Sequence, residues 1–332
     1  MLEVYGTCPF PNPGPAPVAG EILSAAARWT EAAGFRGLLI FTDNRSVDPW
    51  AVAQFLIEQS ERVVPLVAVQ PMYLHPFAAA RMVSTIAKLH GRRIDLNFVA
   101  GSYAPDFRAL GDRLDHDQRY DRLVEYGRIV LDLLEPGQRV ESDGLHYTVA
   151  DTMLLPLLPE KLRPRVFVAG NSEPAARTAK ALDGVRLMYP NPTREYVADT
   201  ATVLNGAGMR IGVIARDSAA EAWAVARRRY PPGESVKKAR QPGRPQVDAE
   251  WHRTISALSE APEPVTDIYW LHPFRTTAEF CPFLVGSHSE VAEVLARYLR
   301  LGISTLILSA PFEKADYAHA SVAIRAAQDL VS

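Results

Sequence analysis

Two short stretches combine glycine, amide and hydroxyl groups in a way that suits a phosphate-bearing ligand. In Ala169-Gly170-Asn171-Ser172 the glycine permits close backbone approach, and Ser172 stands just ahead of a helical stretch. The first turn of a helix offers unpaired N–H groups and the positive end of its dipole, which favour an anion. The same residues equally suit an ordinary N-cap on a loop between strand and helix. In Asp115-His116-Asp117-Gln118-Arg119-Tyr120, Asp115 or Asp117 can cap a helix. The Tyr120 hydroxyl can donate to a phosphate, or stay wet above a packed ring. Upstream, the apolar run Ile94–Val99 carries Asn97 and empties into Gly101-Ser102, a second small-residue turn where backbone can approach a ligand.

Other polar positions admit two readings each. The loop Thr42–Trp50 contains Ser46 and can line a substrate pocket, or it is a capped loop in which Asp48-Pro49 starts a helix and Trp50 packs. Arg227-Arg228-Arg229, Lys237-Lys238, Arg240 and Arg244 make one region basic, suited to an anionic substrate or an acidic carrier protein, or simply a solvated lid. Arg275 follows the aromatic segment Tyr269-Trp270-Leu271-His272-Pro273-Phe274 and is a separate candidate for anion contact. There is no Gly-x-Gly-x-x-Gly after the first strand, no Walker-type phosphate loop, no Gly-x-Ser-x-Gly and no His-Glu-x-x-His. The eight histidines are scattered, so no metal site is expected.

The elements that must position these residues follow from pattern. Apolar runs at Leu2–Tyr5, Leu38–Phe41, Val64–Gln70, Ile94–Val99, Val166–Ala169, Val185–Tyr189, Arg210–Ala215 and Ser304–Ser309 read as strands, several of them buried on both faces. Helical segments separate them at Gly20–Ala33, Trp50–Gln59, Pro76–Leu89, Asp117–Leu134, Glu173–Leu182, Arg194–Asn205, Ala219–Arg229 and Glu290–Leu301. A last helix spans Asp316–Val331, with Asp316 as its cap, and Glu141–Thr148 reads as a hairpin. Eight such alternations predict a (β/α)8 TIM barrel, residues 1–332 as one domain, with an insertion of about 230–281 acting as a lid before the eighth strand. A doubly wound open sheet is the alternative. In a barrel, chemistry belongs to the loops at the C-terminal strand ends.

Bulk properties narrow the function further. A hydrophobic share of 48% over 332 residues supports a sizeable core. A net charge of −2 gives no reason to expect nucleic acid or a membrane surface as partner. Cys8 and Cys281 have no paired spacing, and no apolar run is long enough to cross a bilayer. A cytoplasmic protein and a homo-oligomer are expected.

Four segments in register, Gly34–Trp50, Arg92–Tyr120, Val166–Ala176 and Leu284–Ser309, resemble the bacterial luciferase-like flavin monooxygenases, nearest the alkanesulfonate monooxygenase branch. The most specific are Asp-His-Asp-Gln-Arg-Tyr, Ala-Gly-Asn-Ser and Leu-Val-Gly-Ser-His-Ser-Glu-Val-Ala. The resemblance implies reduced FMN (FMNH2), supplied by a separate NAD(P)H-dependent flavin reductase. The reduced flavin reacts with O2 to give a C4a-peroxide that oxygenates a small-molecule substrate. It implies that Tyr120, Ser172 and the Gly170-Asn171 backbone hold the FMN phosphate, and that Asn97 and Gly101 border the ring or ribityl chain. Ser46, Arg210, Trp270 and Arg275 are then pocket-lining. Ser46 hydrogen-bonds the peroxide or substrate, Arg210 and Arg275 contact an anion, and Trp270 is an apolar wall. Three positions depart from the alkanesulfonate pattern: Ser46 replaces a cysteine, Gly212 a histidine, and Pro311-Phe312 a tyrosine. They point away from a simple alkanesulfonate toward a specialised metabolite, and the lost ring at Gly212 predicts a larger pocket. Rival expectations are a deazaflavin (F420)-dependent hydride-transfer enzyme and a non-catalytic flavin-binding protein.

Overall fold

The computed structural model describes residues 2–9, 18–42, 46–196, 204–231, 268–276, 279–309 and 313–332. Twelve strands occur among them: β1 (Glu3–Thr7), β2 (Gly37–Ile40), β3 (Val64–Val69), β4 (Asp95–Phe98), β5 (Val140–Asp143), β6 (Thr148–Thr152), β7 (Val166–Ala169), β8 (Val185–Met188), β9 (Gly208–Arg216), β10 (Tyr269–Trp270), β11 (Phe283–Ser287) and β12 (Thr305–Ser309). Eight of them run parallel and close into a barrel, β1-β2-β3-β4-β7-β8-β9-β12 and back to β1. Closure is visible at two residues: Gly208 pairs with both Leu187 and Thr305, and Thr305 pairs with Glu3. The hairpin β5–β6 stands apart.

The helices are α1 (Val18–Ala32), α2 (Pro49–Glu58), α3 (Pro76–His90), α4 (Ala104–Ala109), α5 (His116–Leu134), α6 (Glu173–Ala181), α7 (Ala219–Arg229), α8 (His272–Arg275), α9 (His288–Arg300) and α10 (Lys314–Asp329). Local chemistry fixes their starts. The Asp48 carboxylate accepts from the Trp50 and Ala51 N–H groups, with Pro49 opening α2. Asp115 and Gln118 exchange hydrogen bonds in a capping box on α5, and Ser287 and Glu290 do the same on α9.

Strand alternation divides the core. Leu38, Ile40, Val67, Val69, Leu96, Phe98 and Val168 pack outward into a cluster with the helices. Tyr5, Leu39, Leu66, Phe167, Leu187 and Ile307 fill the lumen. Asp95 closes the lumen at the N-terminal end. Its carboxylate accepts from the Tyr5 hydroxyl at 2.8 Å and the Arg165 N–H at 2.8 Å, with Arg36 at 3.4 Å. Burial, then Asp95, push the Tyr5 hydroxyl far above its ordinary pKa, so it remains a neutral donor. Two residues on, Asn97 shares the inward face of β4 toward the open end.

Two expectations need adjusting, and others fall outside the described residues. Glu313, not Asp316, caps the last helix, and Asp316 is the third helical residue that reciprocates. A single turn at Thr193–Glu195 is the described part of the helix expected over Arg194–Asn205, most of which lies outside the described residues. So do most of the expected lid, Pro311-Phe312 and the basic positions Lys237, Lys238, Arg240 and Arg244. Finally, the expected seventh strand is longer than a barrel strand needs. The first half of β9 pairs with β8 and β12, while Gly212–Arg216 pair with Phe283–Ser287 of β11. At Gly212 the two partners flank the strand, Ser309 of β12 on one side and Phe283 of β11 on the other.

Candidate active site

Parallel strands deliver their C-terminal ends to one mouth, and the expected ligand-binding positions lie on the loops there. After β7, Gly170 has φ +149°, and a Cβ at that position would fall 2.3 Å from the Tyr120 hydroxyl and 2.6 Å from the Ala175 Cβ. The missing side chain is what lets Tyr120 reach across from α5 and donate to the Ala169 carbonyl at 3.1 Å. Ser172 accepts from the Ala175 N–H at 3.4 Å and caps α6. Burial raises the pKa of the neighbouring Tyr120 hydroxyl against the opposing pull of Ser172 and Arg186. Tyr120, Gly170, Asn171 and Ser172 are thus brought together.

Arg186, on β8, completes this group and was not singled out by its sequence. Its guanidinium donates to three successive carbonyls, Gly170 at 3.1 Å, Asn171, and Ser172 at 3.4 Å. The charge braces the turn and adds positive potential beside Tyr120. The available signal was an arginine within the short strand Val185–Met188.

A hydrogen-bonded chain leads from this cradle across the mouth. The Asn171 amide donates to the Tyr189 carbonyl at 2.9 Å and accepts the Tyr189 N–H at 3.0 Å. The Tyr189 hydroxyl accepts from Arg210 at 3.2 Å, and Arg210 also donates to the Ser309 hydroxyl at 3.3 Å. Ser309 donates to Glu279 at 3.4 Å, and the other Glu279 oxygen accepts from Tyr230 at 3.1 Å. Arg210 lies 4.3 Å above the Phe41 ring at the end of β2, so it spans the lumen opening. Its Nε is buried without a hydrogen-bond partner among the described residues. Burial raises the Glu279 pKa despite the nearby Arg210. Glu279 is a second functional candidate that sequence reading passed over, because its neighbours Ser309 and Tyr230 lie 30 and 49 residues away.

On the β4 side, the Asn97 Oδ1 is buried and has no hydrogen-bond partner among the described residues. Gly101 has φ +86°, and a Cβ there would meet Gln70 Nε2 at 2.5 Å and the Phe107 ring at 2.8 Å. Gly101 is therefore closed to a larger residue without rearrangement, and Asn97 keeps an acceptor open toward the mouth.

The remaining expected residues are placed as follows. Ser46 is half-buried in the bend ahead of α2. Arg275 ends α8 and is half-buried. Trp270 stacks on His272 and meets Trp223 and Tyr230 edge-on, in the cluster beneath α7. Through Tyr230 it adjoins Glu279. Gly212 corrects one expectation: a Cβ there would lie 2.4 Å from the Phe283 ring. Phe283 occupies the space that a side chain at 212 would take, so the missing ring does not enlarge the pocket.

A family model described as luciferase-like monooxygenase matches residues 7–305. The 4-(gamma-L-glutamylamino)butanoyl-(BtrI acyl-carrier protein) monooxygenase BtrO of Niallia circulans is 33% identical over 301 residues, covering 89% of this chain and 88% of that protein. The chain belongs to the luciferase-like monooxygenase family. Solved structures agree with luciferase-like architecture at the level of fold. The EDTA monooxygenase of Chelativorans sp. BNC1 superposes with a TM-score of 0.73 at 17% identity, covering 100% of this chain and 94% of that one. The oxygenating constituent of 3,6-diketocamphane monooxygenase from Pseudomonas putida, in complex with FMN, gives 0.69 at 17% identity over 98% and 97%. Among the described residues, no helix of this luciferase-like chain is long and apolar enough to cross a membrane.

Proposed function

We propose that this protein is a flavin-dependent monooxygenase that takes reduced FMN from a separate NAD(P)H-dependent reductase and inserts one oxygen atom of O2 into a small organic substrate. The reading rests on one observation above others: the Gly170 turn, which only a glycine fits, with the Tyr120 hydroxyl, Ser172 and Arg186 gathered around it. Such a group of neutral donors beside a fixed positive charge suits a phosphate monoester. The buried, unpartnered Asn97 Oδ1 suits a ring N–H or a ribityl hydroxyl.

When bound, reduced FMN supplies the activation of O2, and the overall balance is RH + O2 + FMNH2 → ROH + H2O + FMN. The chain's own residues position and shield. Tyr120, Ser172 and Arg186 hold the phosphate end. Asn97 and Gly101 would border the ring or the ribityl chain, and Arg210, linked to Glu279 through Ser309, would present its charge to the substrate. Stacking on Phe41 keeps the Arg210 guanidinium over the mouth. The substrate is a specialised metabolite, not a simple alkanesulfonate, given Ser46 and Gly212 at positions where that branch carries cysteine and histidine. The named substrate of the Niallia circulans relative further favours an acyl chain borne on a carrier protein, and the exposed Arg227 and Arg228 would face such an acidic partner.

The test is anaerobic titration with FMNH2, followed by mixing with O2 and measurement of O2 uptake with a flavin reductase and acyl-carrier substrates. Micromolar FMNH2 binding and substrate-dependent uptake are expected. Binding of a deazaflavin but not FMNH2 would replace this reading with hydride transfer. FMNH2 binding with no turnover of any substrate would favour a flavin carrier.

A further inference from the structure

Two of the scattered histidines meet outside the Gly170 cradle, just beyond the C-terminal ends of β9 and β11. His288 opens α9 and His319 lies on α10, and their rings stack with centroids 5.0 Å apart and an interplanar angle of 24°. The His288 Nε2 is 2.9 Å from the His319 Nδ1. Asp217, just after β9, places Oδ1 3.5 Å from the His288 Nδ1. One ligating atom from each of the three falls within 4.8 Å of the others.

We infer that Asp217, His288 and His319 form a binding site for a divalent transition-metal ion of the zinc type. Two imidazoles and a carboxylate are ligands that zinc accepts, and neighbouring donors on a tetrahedral zinc stand about 3.3 Å apart. The His288–His319 separation need open by only a few tenths of an ångström, and the two helices already hold the rings face to face. The Asp217 side chain is 83% exposed, so it can swing to complete the set, and water can take the fourth position. Arg216, directly before Asp217, is tied to Asp316 at 2.7 Å and leaves the Asp217 carboxylate available. The ion would join the turn after β9 to both C-terminal helices.

The whole chain, stripped with chelator, is titrated calorimetrically with zinc chloride, and with cobalt chloride followed by visible absorption. One equivalent of zinc at micromolar affinity and a tetrahedral cobalt band are expected. His288→Gln and His319→Gln should each weaken zinc by about tenfold or more. Asp217→Asn, at an exposed position that leaves packing intact, should weaken it measurably. Melting of the wild type should rise with zinc and that of the double histidine variant should not. Absence of micromolar binding, or binding unchanged in the double histidine variant, overturns the inference. FMN titration of the same samples separates this result from that of the proposed function.

Discussion

The Gly170 position carries most of the weight at the scale of single residues. Gly170→Ala would push a methyl group into the Tyr120 hydroxyl and Ala175. A loss of about 1–3 kcal/mol in stability is expected, together with weaker FMN binding, read by urea denaturation and flavin fluorescence. Tyr120→Phe keeps the ring and removes the hydroxyl that also serves the Ala169 carbonyl, so it should lower FMN affinity by about tenfold or more and cost about 1 kcal/mol of stability. If the double change Tyr120→Phe and Ser172→Ala leaves FMN affinity intact, the phosphate lies elsewhere. Glu279 gives a pH signature. Its pKa is raised in the folded state by burial. The unfolded chain therefore releases this proton first as pH rises, and the folded state loses stability between the ordinary glutamate pKa and the raised one. Glu279→Gln removes that loss, so the variant should gain on the wild type as pH climbs through this window and level off above it. Denaturant midpoints measured across the range would show a flat difference if Glu279 titrates normally. None of these roles was fully legible from residue types. Gly170 and Ser172 belong to one short motif and Tyr120 to another, so each could be put forward from residue types, whereas Arg186 and Glu279 meet partners brought in by the fold.

Elements were legible wherever local chemistry fixes them. Asp48-Pro49 and Asp115 mark helix starts by capping, and continuous apolar runs mark lumen strands. What escaped was β10 and β11, short segments whose partners are each other and the far half of β9. The cap of α10 was displaced for a tertiary reason. Asp316 is needed inside, where its carboxylate meets Arg216 at 2.7 Å and Arg229 at 2.8 Å with its side chain 1% exposed. This three-residue junction ties the end of β9 and the end of α7 to the start of α10. Asp316→Ala leaves the buried Arg216 guanidinium without its carboxylate, beside Arg229, which keeps Glu313 at 3.3 Å. A cost of about 3–5 kcal/mol is expected, measurable by chemical denaturation and accompanied by faster amide exchange in α7. A loss within the range of an exposed ion pair would mean that Arg216 and Arg229 find other partners.

For the whole molecule, the closed barrel sets a division of labour between its two ends. Asp95, Tyr5, Arg36 and Arg165 seal the N-terminal end with paired charge, and the opposite end gathers every expected ligand contact among the described residues of the barrel strands. The barrel was readable from eight alternations, since parallel strands joined by helices leave few other topologies. The closure partners were not, because Gly208 meets Leu187 and Thr305 only in three dimensions. Oxygen uptake by the complete chain should therefore tolerate conservative changes on the outer helices far better than changes on the inward face of β4, β8 or β9, a contrast that a surface-against-lumen alanine series would reveal. Gly212 marks where β9 stops being a barrel strand, with its amide donating to the Pro282 carbonyl at 2.8 Å and Phe283 covering its Cα. For an engineer that residue is a splice junction. Any exchange of the outer half of β9 and of β11 among relatives has to keep residue 212 a glycine, carry Phe283 with it and leave Asp316 facing Arg216 and Arg229.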